Sequence, residues 1–111
     1  MAQQIPYAAN DDAPPIDLDF LRRQTLGNGV LQQELLSMFR DQIAETQEHL
    51  AHGLPAGHRE ILHALRGAAL NLGAFLLAEK LRELDESETG SYQDLECMLD
   101  RMLQFLEQRF G

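Results

Sequence analysis

His63, Arg66 and Gly67 are the residues of this 111-residue chain whose types and spacing suit chemistry. They lie in the stretch Glu60 to Ala74, EILHALRGAALNLGA. A helix, at about 100° per residue, sorts this stretch into two faces. Ile61, Leu62, Leu65, Ala68, Ala69 and Leu72 form an apolar stripe. His63 falls about 160° from Leu65, on the water side, and Gly67 stands beside it one turn further on. Glycine inside a helix costs about 1 kcal/mol relative to alanine. Close helix packing can offset that cost on a buried face. On the solvent face nothing packs, so the glycine points to another molecule that must approach there. Arg66, three residues after His63, can swing its guanidinium to the same place. Neutral imidazole is nucleophilic near pH 7, since histidine ordinarily titrates at about 6.5. An exposed imidazole, a fixed cation and a cleared approach suit an anion carried on the histidine.

The same residues carry a family resemblance. His63-Ala64-Leu65-Arg66-Gly67-Ala68, followed by Leu72-Gly73-Ala74, resembles the signature of histidine-containing phosphotransfer (HPt) domains. That signature is a His-x-x-Lys-Gly core, a small residue, and then a Gly-Ala pair. The resemblance extends over roughly Ile16 to Gly111 through helix number and length, and its specificity rests on the dozen residues after Leu62. One departure is chemical: the family's lysine is Arg66 here, so a planar fork replaces a point charge at the phosphate contact.

The resemblance implies a phosphorelay intermediate of a two-component system. His63 would accept a phosphoryl group from the aspartate of a response-regulator receiver domain and pass it to another receiver, with Arg66 stabilising the phosphate. Phosphoryl transfer asks mainly for in-line positioning and charge stabilisation. A lone exposed histidine offers little of either, so the partner is expected to supply the aspartate and a Mg²⁺ ion. The implied partners are receiver domains and a hybrid or sensor histidine kinase. Gly67, Ala64 and Leu70 are the expected docking residues, Leu70 because it projects on the exposed side and Ala64 because it keeps the flank low. Asp85 falls where the family often has Glu or Gln near the active histidine. It is a candidate to orient the ring nitrogen that does not react, set against the plainer reading of a solvated carboxylate at a helix end.

The remaining polar residues read more blandly. His49 and His52, with Glu45 and Glu48 near, match a metal pair only weakly, and a solvated face accounts for them better. His58 reads as a surface residue. Glu60-x-x-His63 is half of a di-iron bundle motif, which must occur twice, and no histidine follows His63. No metal site is expected. Cys97 falls off the apolar stripe of its helix and reads as a free thiol.

The elements that must position His63 are helices. Met1 to Pro15 is polar and proline-tipped and is expected to be a flexible arm, residues 1–15, ahead of one bundle domain, residues 16–111. Asp17 can cap a short helix through about Gln24, with Leu18 and Leu21 or Phe20 inward. Gly27-Asn28-Gly29 breaks it, and Asn28 can cap the next helix. A second helix runs to His52, its stripe Leu31, Leu35, Met38, Phe39, Ile43, Thr46 and Leu50. Gly53 and Pro55 end it. The third spans about Ala56 to Leu72 and stops at Gly73. The fourth runs from Ala74 to Glu86, with Leu76, Leu77, Leu81 and Leu84 inward. Thr89-Gly90-Ser91 turns into the last helix, through about Arg109, where Ser91 and Asp94 resemble a capping box and Leu95, Leu99, Met102, Leu106 and Phe110 form the stripe. Short connections predict antiparallel neighbours. The expected fold is all-α: an up-down-up-down antiparallel four-helix bundle with a short extra N-terminal helix.

Composition excludes several functions. Leu is abundant while Val, Ile and Tyr are scarce, which favours helix. The net charge of −9 argues against nucleic acid and against anionic membrane surfaces. No apolar run approaches the ~20 residues that span a bilayer, and the N-terminus lacks the pattern of a signal peptide. One cysteine excludes an internal disulfide and fits a reducing cytoplasm. There is no Gly-rich phosphate loop, so the chain cannot bind ATP by that device. The HPt resemblance implies a phosphocarrier without ATP-dependent kinase activity, and an exposed transfer site on a closed bundle needs no second subunit, so a monomer is expected. The alternative is a helical adaptor that binds a signalling partner without carrying phosphate.

Overall fold

A computed structural model describes residues 15–52, 58–86 and 92–110. They are all-α, with no strand among them. The helices are α1 (Leu18–Gln24), α2 (Gly29–Ala51), α3 (His58–Leu72), α4 (Phe75–Glu86) and α5 (Tyr92–Phe110). Several expectations lie outside the described residues: the arm over 1–14, the stop at Gly53 and Pro55, a start at Ala56, and the Thr89-Gly90-Ser91 turn with its cap. The same holds for the side chains of His58 and Phe110.

Asp17 caps α1 by accepting the Phe20 amide at 3.0 Å. The helix ends in a Schellman arrangement. Gly27 N–H reaches back to the Arg22 carbonyl at 2.9 Å and Leu26 N–H to that of Arg23 at 3.2 Å. Leu26 takes the left-handed position usually given to glycine, at φ 54. Asn28 then caps α2, accepting the Leu31 amide at 3.0 Å. Thr25 is buried at this corner; its hydroxyl donates to the Leu21 carbonyl at 2.8 Å and accepts from Gln32 Nε2 at 2.9 Å.

The core draws on every helix: Leu21 from α1; Leu36, Phe39 and Ile43 from α2; Leu62, Leu65, Ala69 and Leu72 from α3; Leu77, Ala78, Leu81 and Leu84 from α4; Leu95, Leu99, Met102 and Leu106 from α5. Ile16, immediately before α1, is fully buried with them. α3 packs on α4, α2 and α1, while α5 packs on α2 and α4. Gln47 of α2 donates to Asp100 of α5 at 2.7 Å, and Lys80 of α4 pairs with Asp94 of α5 at 3.5 Å.

Of the residues expected in the core, Leu35, Leu50, Ile61 and Ala68 are only half-buried and three more are outside it. Leu31, Met38 (65% exposed) and Leu76 face solvent. In α2 the buried line is Leu36, Phe39, Ile43 and Thr46, at alternating spacings of three and four. The helix has leucines on both edges of this line, and the helix packing selects the Leu36 edge. In α4 the line runs through Leu77, Ala78, Leu81 and Leu84, which turns Leu76 outward.

Gly73 does more than end α3. Its φ is +87, in the left-handed region, and its carbonyl accepts the Asp17 amide at 2.9 Å. A Cβ there would stand 2.9 Å from the Asp17 carbonyl oxygen. The turn between α3 and α4 is thus fastened to the cap of α1, and Phe20 packs edge-on against Phe75 across it, ring centres 5.0 Å apart.

Candidate functional site

Leu62, Leu65, Ala69 and Leu72 turn one side of α3 into the core, and that burial sets where every other residue of the helix points. His63 is exposed. Among the described residues no hydrogen bond or ion pair reaches its ring. Gly67, one turn on, is exposed too, and a Cβ on it would meet no atom within 4 Å beyond the neighbouring backbone of its own helix. The space beside the imidazole is open. Ala64 is exposed and Leu70 is 43% exposed, so both expected docking residues lie at the surface with them.

Arg66 is half-buried. On α4, Glu79 accepts from Arg82 Nε at 3.2 Å and from a second Arg82 nitrogen. The hydrogen bonds from Arg82 hold the Glu79 carboxyl below the usual carboxylate range; desolvation opposes this, and the charges of Arg82 and then Arg66 add to it. Arg66 therefore sits within electrostatic reach of Glu79.

Asp85 is engaged with Arg59 rather than with His63. Its Oδ1 accepts from Arg59 Nε at 3.2 Å and from the adjacent terminal nitrogen at 3.1 Å. Arg59 lies four residues before His63, on the same face of α3, and no motif in the sequence singles it out.

Gln47 bonds to α5, and Leu36 and Arg40 share a small cavity with Leu106 of α5, so that flank of α2 faces α5. Leu31 and Met38 lie on the other flank, the one toward α3. Both present exposed apolar surface there.

The other polar candidates do not assemble. His52 Nδ1 lies 2.8 Å from the Glu48 carbonyl of its own helix, and Cys97 is an exposed free thiol. No cluster of three His, Cys, Asp or Glu side chains able to hold a metal occurs among the described residues. No helix among them is long and apolar enough to cross a membrane. In comparisons with known proteins, no family model, no curated protein and no solved structure matches the chain.

Proposed function

We propose that this protein is a phosphoryl carrier of the HPt type, acting in the cytoplasm as a monomer between receiver domains. The observation that carries this reading is the exposed His63 ring, without a partner among the described residues, beside the open space over Gly67. A neutral imidazole nitrogen attacks the phosphorus of a receiver's aspartyl phosphate. An N–P bond forms as the P–O bond to the aspartate breaks, and the carboxylate leaves with the bonding electrons. The reverse step delivers the group to a second aspartate. Receiver domains supply the Mg²⁺ and the in-line geometry; Arg66 supplies positive charge on this side. Leu70, exposed on the same helix as His63, gives the visiting domain apolar surface near the polar centre.

The scaffold we infer is an up-down-up-down four-helix bundle of α2 to α5, with α1 laid across one end. Support comes from packing that closes a ring, α2 on α3, α3 on α4, α4 on α5 and α5 on α2. The seam between α3 and α4 has antiparallel register: Arg59 at the start of α3 meets Asp85 at the end of α4, while Arg66 acts on Glu79 nearer the turn.

Incubation with a phosphorylated receiver domain and Mg²⁺ tests the reading. The wild-type protein is expected to take up an acid-labile, base-stable label, and His63→Gln none. Equal labelling of the two proteins refutes it. Partner binding that survives His63→Ala, with no label on either protein, favours the adaptor instead.

A further inference from the structure

Resting on the phosphocarrier reading, we propose that Arg59 is a second phosphate-binding residue at His63, held by Asp85 until the ring carries a phosphoryl group. Arg59 precedes His63 by four residues and Arg66 follows it by three. Both spacings make neighbours on a helix surface, at roughly 5–6 Å between Cβ atoms. Arg59 and Arg66 therefore flank His63 along the helix axis, while Gly67 keeps the outer approach clear.

The two cations are held differently. Glu79 takes its hydrogen bonds from Arg82, and Arg66 acts on it by charge, so Arg66 can turn to a phosphate without breaking a hydrogen bond of its own to Glu79. Arg59 is bonded, but weakly. Its side chain is 71% exposed and directs both of its contacts to a single oxygen of Asp85. Exposed pairs of this kind contribute little. A phosphoryl group on His63 presents three acceptor oxygens and more negative charge than one carboxylate, and guanidinium binds such groups in a fork. Arg59 then leaves Asp85 for the phosphate. Asp85 positions Arg59 and competes with the phosphate for it.

The two partners accordingly have opposite effects. Arg59→Gln removes a phosphate ligand, whereas Asp85→Asn releases one. A merely structural ion pair predicts the same direction for both, because either change breaks it. The experiment uses the full chain and a phosphorylated receiver domain. It reads the equilibrium partition of label between receiver and carrier, and the half-life of the isolated phosphocarrier. Relative to wild type, Arg59→Gln is expected to lower the carrier's share and shorten the half-life about three- to tenfold, with Arg59→Lys in between. Asp85→Asn is expected to raise both about two- to threefold. Thermal unfolding of each variant checks that the fold persists. A wild-type partition in Arg59→Gln, or a shift of both variants in one direction, overturns the proposal while leaving the phosphocarrier reading intact. No label on the wild-type protein overturns both.

Discussion

Replacing Gly67 by alanine should make the protein more stable and a poorer phosphoryl carrier. The two effects have separate origins on the same atom. Alanine is favoured over glycine in a helix interior by about 0.8–1.0 kcal/mol. Nothing subtracts from that gain here, because the added Cβ meets no atom within 4 Å and Gly67 is not among the glycines at positive φ. At about 2.1 cal/mol/K of unfolding entropy per residue, the gain raises Tm by roughly 4 °C for a chain of this length. The transfer effect has the opposite sign. The methyl group enters the space through which a receiver's active site must reach His63, and Gly67→Gln fills more of it. Thermal unfolding followed by circular dichroism measures the first effect; the initial rate of label transfer from a phosphorylated receiver measures the second. Transfer is expected to fall modestly with alanine and at least about tenfold with glutamine, since small misplacements of reacting groups cost about that much or more. A Gly67→Ala protein less stable than wild type would mean that this face of α3 is not open. A Gly67→Gln protein that transfers at the wild-type rate would mean that the gap serves no visitor.

Two further substitutions probe the frame that holds the site. Gly73→Ala should have the opposite sign from Gly67→Ala, because the residue is left-handed and its Cβ would press on the Asp17 carbonyl oxygen at 2.9 Å. A loss of about 2–3 kcal/mol in urea unfolding is expected, and a neutral result would remove the fastening of α1 from the account. Thr25→Val removes a buried hydroxyl that donates to Leu21 and accepts from Gln32. It should destabilise the fold by about 1–2 kcal/mol in the same assay, and an unchanged midpoint would show that the corner between α1 and α2 does not depend on that bond.

The sequence carried the helices and the exposed residues around His63 well, because long amphipathic periodicity and caps such as Asp17 and Asn28 are local signals. It carried the choice among competing apolar edges poorly. Leu31 and Met38 on α2, and Leu76 on α4, have the right hydrophobicity and nearly the right phase, and only the packing of neighbouring helices decides that Leu36 goes inward and that Leu76, beside the buried Leu77, does not. The exposure of His63 followed from the strong stripe of Leu62, Leu65, Ala69 and Leu72. The partner of Asp85 was not legible, since an ion pair between α3 and α4 depends on their register, which no local pattern encodes. Gly73 read as a helix stop; its contact with Asp17 joins segments far apart in the chain.

The central claim is that the phosphoryl group resides on His63 and returns from it to an aspartate. The most direct measurement loads the protein from a phosphorylated receiver, isolates it, and maps the modified residue by mass spectrometry under alkaline conditions. An unphosphorylated receiver and Mg²⁺ are then added and the transfer is followed. The account predicts a single phosphoryl group on His63 that disappears as the receiver's aspartate gains one. Phosphate on any other residue, or phosphate on His63 that no receiver can take up, contradicts it.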